Sequence, residues 1–175
     1  MANIESREIS YSAGDVEMIG TIFWDSELEG PRPGVIVVHE WWGANDYPKM
    51  RAARLAEIGY AGFAVDLYGG GRIATNPDEA GELMNALIGD TSVVRQRFNA
   101  ALSAMREDEV IDAAKTAAIG YCMGGGIVLH MARYGADLAA VASFHGALPL
   151  GIAAPGEGGD VRARIAVYHG EADEF

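Results

Sequence analysis

Five short apolar runs constrain the fold of this chain more than any other feature. They span residues 34–38, 61–65, 116–119, 139–144 and 164–168, and the first reads Gly34-Val-Ile-Val-Val38. A half-exposed strand alternates apolar and polar residues, whereas a continuous β-branched run belongs to a strand covered on both faces. Segments with helical spacing lie between the runs, at 47–58, 77–88, 92–107 and 125–133; the first stops at Gly59 and the last just before Gly135. Alternation of strand and helix predicts an α/β architecture, a mostly parallel sheet with helices on both faces. Ahead of it, two short strands at 6–12 and 19–24, separated by a turn at Gly14-Asp15, predict an antiparallel hairpin. The glycine-rich stretches 69–71 and 153–160 are expected to be mobile loops.

Composition narrows the function. Thirteen Lys and Arg against 25 Asp and Glu give a net charge of −12 and a pI near 4.6, the reverse of the basic footprint that nucleic acid or an anionic membrane requires. Small molecules are the expected partners. With 175 residues, half of them hydrophobic, the chain is expected to form one domain over residues 1–175 that needs neither disulfide nor structural metal. The single cysteine excludes an internal disulfide and any multi-cysteine zinc site. No basic start feeds an apolar stretch, and no run is long enough to cross a bilayer, so a cytoplasmic location is expected.

In an open parallel sheet the ligand site forms beyond the carboxyl ends of the strands. The residues there are His39-Glu40-Trp41-Trp42-Gly43, Asp66-Leu67-Tyr68-Gly69-Gly70-Gly71-Arg72, Gly120-Tyr121-Cys122-Met123-Gly124, His145-Gly146 and His169-Gly170-Glu171-Ala172-Asp173. The third has the pattern Gly-x-nucleophile-x-Gly between a strand and a helix. Glycines are required there because side chains two residues before and after the nucleophile would collide across so tight a turn. The turn sets Cys122 at a helix N-terminus, where backbone amides favour a thiolate and the Met123 N–H faces a developing oxyanion.

With this elbow in place, the sequence resembles the dienelactone hydrolase family of the α/β-hydrolase fold, whose members carry a cysteine in a G-x-C-x-G elbow. Three further stretches support the resemblance over the chain from about Gly20 onward: Glu40 with its hydrophobic pair and Gly43, the Asp66-Leu67-Tyr68 segment, and the H-G-x-x-D-like turn from His169 to Asp173. The resemblance implies Cys122 as nucleophile, Glu40 as the group that takes its proton, and the amides of Trp41 and Met123 as the oxyanion hole. It further implies Asp173 as the acid that orients a catalytic histidine, and Arg72 as a partner for a substrate carboxylate. Trp42 and Tyr68 are expected to line the substrate pocket. The chemistry so implied is hydrolysis of a small-molecule carboxylic ester or lactone through an acyl-thioester, with no cofactor and no metal.

The order of triad members leaves a gap. Only Glu174 and Phe175 follow Asp173, so no histidine comes after the acid, and His39, His130, His145 and His169 all precede it. His169, four residues upstream in the same turn, reads as a turn residue rather than a base. The expectation is therefore an α/β-hydrolase domain lacking its last strand, helix and histidine loop, with little or no turnover. The competing expectation is a non-catalytic domain of the same fold that binds a ligand or partner and self-associates through an exposed sheet edge. A metalloprotease is excluded because Gly43 stands where H-E-x-x-H requires its second histidine, and neither dinucleotide nor P-loop spacing occurs.

Overall fold

A computed structural model describes residues 2–146 and 160–173. The hairpin forms first in chain order: β1 (Ile4–Ala13) and β2 (Val16–Asp25) pair along their whole length, and Gly14 takes the positive φ that a two-residue hairpin turn demands. Then come β3 (Arg32–Val38), α1 (Asp46–Glu57), β4 (Ala61–Val65), α2 (Pro77–Ile88), α3 (Thr91–Arg106), β5 (Ile111–Tyr121), α4 (Met123–Arg133), β6 (Ala140–Phe144) and β7 (Arg164–Tyr168). They build one seven-stranded sheet in the order β1-β2-β4-β3-β5-β6-β7. The five strands β4, β3, β5, β6 and β7 run parallel, and β2 joins them antiparallel through β4.

The predicted runs are strands, and the helix starts follow local capping chemistry. Asn45 accepts from the Tyr47 amide, Asn76 from Glu79 with Pro77 opening α2, and Asp90 from Ser92. β5 is longer than the expected 116–119, reaching back to Ile111. Its extension, Ile111-Asp-Ala-Ala-Lys115, holds no run of large apolar residues, and the register against β3 jumps between Pro33 and Gly34 to absorb residues 113–115. Such a bulge leaves no apolar signature. α4 begins at Met123, two residues earlier than expected, directly after Cys122. Of the stretch 153–160 expected to be a mobile loop, residues 153–159 lie outside the described residues.

Both faces of the sheet carry helices, for a reason readable in β3. Ile36 and Val38 point to one face, where Phe63, Val65, Phe98, Ile127 and Met131 complete the larger core beneath α3 and α4; Val37 points to the other, with Ala64 and Ala52 beneath α1. α1 approaches β4 very closely. A Cβ added at Gly62 would stand 2.3 Å from the Ala52 carbonyl oxygen. Beyond α1, the described residues leave on the same face a shallow apolar cleft of about 400 Å³ lined by Val35, Ala117, Ile119, Ala142 and Ala166. β7 closes the sheet with Ile165, Val167 and Tyr168 exposed. Among the described residues, no helix is long and apolar enough to cross a membrane.

Because the Gly62 contact is backbone against backbone, Gly62→Ala is expected to destabilise the fold by about 1–3 kcal/mol, the range for overpacking a close-packed interior. Urea unfolding followed by circular dichroism measures it; an unchanged midpoint would show that α1 can shift freely on the sheet.

Candidate active site

The chain runs from β3 to β4 on one side and later takes up β5 on the other, so a crevice opens between the carboxyl ends of β3 and β5. Cys122 stands there. Its backbone has φ 53° and ψ −118°, a left-handed conformation rarely taken by a residue with a Cβ, and it caps α4 without a side-chain hydrogen bond. Its N–H donates to the Phe144 carbonyl (3.0 Å) and its own carbonyl accepts from Gly126 (3.2 Å). The two glycines of the elbow are needed for different contacts. A Cβ at Gly120 would lie 2.0 Å from the Gly124 carbonyl oxygen, across the turn itself. A Cβ at Gly124 would lie 2.5 Å from the Val38 carbonyl oxygen and 2.7 Å from that of His39, where α4 abuts the end of β3.

The thiol does not match the thiolate expected at a helix N-terminus. Half-burial pushes its pKa up; the Met123 N–H bonded to the sulfur acts in the opposite direction, and the charges of Glu40 and Asp173 add to the rise. Burial and two carboxylates outweigh one amide. With its pKa raised, the side chain is a protonated thiol at neutral pH, within reach of the charges of Glu40 and Asp173.

The loop after β3 is tied down at each carbonyl. That of Glu40 accepts from Gly43 (3.3 Å) and from His39 Nδ1 (2.6 Å), that of Trp42 from Ala74 (2.9 Å), and that of Gly43 from Asn45 (2.8 Å). The Trp41 carbonyl accepts from the Tyr68 hydroxyl at 2.8 Å. Trp41 and Trp42 meet edge to face, centroids 5.0 Å apart, both half-buried beside the partly buried Glu40. His39 is wholly buried, its pKa lowered chiefly by desolvation, and its Nε2 receives the Leu67 amide at 3.3 Å.

Three expectations about the loop after β4 are revised. The Gly69–Gly71 segment was expected to move freely, yet it is wound around the buried Asp66 carboxylate. One oxygen accepts from Tyr68 and Gly69 (both 2.8 Å), the other from Gly71 (2.8 Å) and Ile19 (3.2 Å). Gly69, Gly70 and Gly71 all have positive φ, a succession only glycine adopts without strain. A carboxylate just ahead of three glycine amides was the signal for this. Tyr68, expected to line the substrate pocket, is only 1% exposed, with its hydroxyl committed to the Trp41 carbonyl; it supports the site from beneath. Arg72, expected to meet a substrate carboxylate, donates to the carbonyls of Tyr68 (2.6 Å) and Gly69 (3.1 Å), and Arg97 on α3 donates to those of Leu67 (2.7 Å) and Tyr68 (3.0 Å).

Asp173 follows β7 in the turn closed by its own amide on the Gly170 carbonyl. Its Oδ2 pairs with His145 Nδ1, and His169 Nε2 lies 3.4 Å from the same oxygen. The sequence reading did not foresee the pairing with His145, which ends β6 in a left-handed conformation beside the elbow. His130 is buried in α4 against Tyr134. Beneath the strand ends, Tyr121, Phe144 and Tyr168 stack in a row across β5, β6 and β7 at about 5 Å spacing. Among the described residues, no group of three His, Cys, Asp or Glu side chains is arranged to hold a metal ion.

This elbow, with a carboxylate after β3 and an acid after β7, coincides with a family match: the family model described as Dienelactone hydrolase family matches residues 19–175. The chain belongs to the dienelactone hydrolase family. Its fold is closely similar to that of m3DLH (39% identity, TM-score 0.89, covering 95% of this chain and 69% of that one). It is also similar to a dienelactone hydrolase-like promiscuous phosphotriesterase from metagenomic libraries (37% identity, TM-score 0.92, 99% and 71%). A putative carboxymethylenebutenolidase of Aquifex aeolicus (strain VF5) is 34% identical over 104 residues, 57% of this chain and 45% of that protein. The chain spans about half the length of the first curated relatives it matches. In this dienelactone hydrolase family chain, then, burial of the thiol, with the charges of Glu40 and Asp173 added to it, outweighs the helix terminus.

That ionisation is testable. Iodoacetamide alkylation of Cys122 in the native chain is expected to be slower at pH 7.5 than in the urea-unfolded chain. Its rate should rise with pH through an inflection above the ordinary thiol value of 9.0, because burial and the two carboxylates hold the proton on. An inflection below that value would mean that the helix terminus, not burial, governs the sulfur.

Proposed function

We propose that the chain carries the acylating half of a carboxylic ester or lactone hydrolase, with Cys122 as nucleophile. The observation that carries this reading is the strained Cys122 backbone between two glycines that admit no Cβ, at the point where a buried strand meets a helix. A geometry that costs free energy is kept where it presents a side chain for chemistry.

The steps balance as follows. A substrate carbonyl enters above the sulfur, and the Glu40 carboxylate takes the thiol proton as Sγ attacks the acyl carbon. The C=O electron pair moves onto oxygen, and the amides of Trp41 and Met123 donate to that oxyanion. When the tetrahedral centre collapses, the alkoxide leaves, receiving the proton held by Glu40, and an acyl-thioester remains on Cys122. Because the thiol is protonated at rest, it becomes a thiolate as substrate arrives, which suits activated or strained esters with good leaving groups. Water must then release the acyl group. The histidines held by Asp173, His145 and His169, are the bases this chain offers for that step. A cytoplasmic setting, where the thiol stays reduced, suits this chemistry.

With p-nitrophenyl acetate, the chain is expected to release one equivalent of nitrophenolate per Cys122 in a burst, and to gain the mass of one acetyl group at that residue. Cys122→Ala should abolish both. A burst that survives the substitution would remove the nucleophile assignment.

The self-association expected from an open edge is a separate proposal, supported by Ile165, Val167 and Tyr168 exposed on β7. A second copy pairing there would extend the sheet and cover them. Sedimentation velocity over a concentration series is expected to show a dimer that Val167→Lys dissociates; a monomer at every concentration would dismiss the proposal.

A further inference from the structure

Both peptide planes that flank Trp41 are held by side chains to which the acylation steps above assign no part. The first contains the Glu40 carbonyl and the Trp41 N–H. A carbonyl oxygen only accepts, so at 2.6 Å His39 Nδ1 must be the donor to it, and the Leu67 amide at 3.3 Å requires His39 Nε2 to be the acceptor. The two contacts demand the same neutral tautomer. The ring is fully buried and packs against the ring of Tyr68, centroids 4.7 Å apart. The second plane contains the Trp41 carbonyl, which accepts from the Tyr68 hydroxyl; the same hydroxyl lies 3.6 Å from Met123 Sδ.

A trans peptide is rigid and planar, with its C=O and N–H pointing in opposite directions. Holding the Glu40 carbonyl therefore aims the Trp41 N–H the other way. Holding the next carbonyl as well fixes the turn about the Trp41 Cα, and a hydrogen bond donated to an amide carbonyl polarises that amide and strengthens its N–H as a donor. Gly43 also donates to the Glu40 oxygen, but at 3.3 Å and from within the loop it is the weaker restraint.

We propose that His39, with Tyr68, is a positioning residue of the oxyanion hole: a neutral imidazole, fixed in one tautomer by Leu67, that aims and polarises the Trp41 amide. This inference rests on the reading of Cys122 and Trp41 given under the proposed function. His39 touches no substrate and acts only through the peptide it holds.

The test compares two reactions of one sulfur in the full chain at one pH. Acylation by p-nitrophenyl acetate passes through a tetrahedral oxyanion, whereas alkylation by iodoacetamide displaces iodide at a saturated carbon and forms none. Their rate ratio therefore reports oxyanion stabilisation apart from exposure and ionisation of the thiol. His39→Ala and Tyr68→Phe are each expected to lower the ratio about tenfold or more, a fraction of what losing an oxyanion donor outright costs, while leaving alkylation unchanged. His39→Asn, whose amide nitrogen takes the place of Nδ1, is expected to restore part of it. Wild-type ratios in both His39→Ala and Tyr68→Phe would overturn the proposal. If His39→Ala fails to fold by circular dichroism, Tyr68→Phe decides alone, since it keeps the ring and loses only the hydroxyl. A wild-type chain whose Cys122 is alkylated but never acylated would sink the nucleophile reading, and this inference with it.

Discussion

The left-handed backbone at Cys122 is the constraint around which the rest of the strand-end region is arranged. Such a conformation costs a residue with a Cβ about 1–3 kcal/mol, so it persists only where its surroundings over-determine it. Here they do so on two sides. The turn is closed by contact between Gly120 and Gly124, and α4 then meets the end of β3 so closely that Gly124 touches the carbonyls of Val38 and His39. The same contact that fixes the Cys122 turn brings the loop after β3 beside it, so the amides of the two belong to one close-packed neighbourhood.

Around that neighbourhood the loops are fastened by buried polar groups. Asp66 gathers four amides and folds the loop after β4, that loop delivers Tyr68, and Tyr68 holds Trp41. A buried carboxylate with four donors is well satisfied, which makes it a stiff pivot. The glycines that follow it have a structural purpose quite different from flexibility: with positive φ values they turn the Gly69 and Gly71 amides onto Asp66 and that of Gly70 onto the Glu17 carbonyl.

The electrostatics favour restraint at rest. Burial and two carboxylates keep the sulfur protonated although it begins a helix. In the proposed acylation, the thiol gives up its proton only when a substrate occupies the crevice. The neutral, buried His39 fits this arrangement, since a charged imidazole could not accept the Leu67 amide.

The sequence by itself determined the order and type of nearly every element, the parallel sheet and the elbow. These rest on local rules: apolar runs for doubly covered strands, helical spacing, glycines at helix ends, and glycines at fixed offsets from Cys122. The N-terminal extension of β5 escaped it because a bulged segment carries no period to read. Only the tertiary structure decided which histidine meets Asp173, that Tyr68 faces the Trp41 carbonyl and not the pocket, that Arg72 turns onto its own loop, and that the thiol is neutral. Each depends on distances between residues far apart in the chain, or on how much water their packing excludes, and neither is written in the spacing of neighbours.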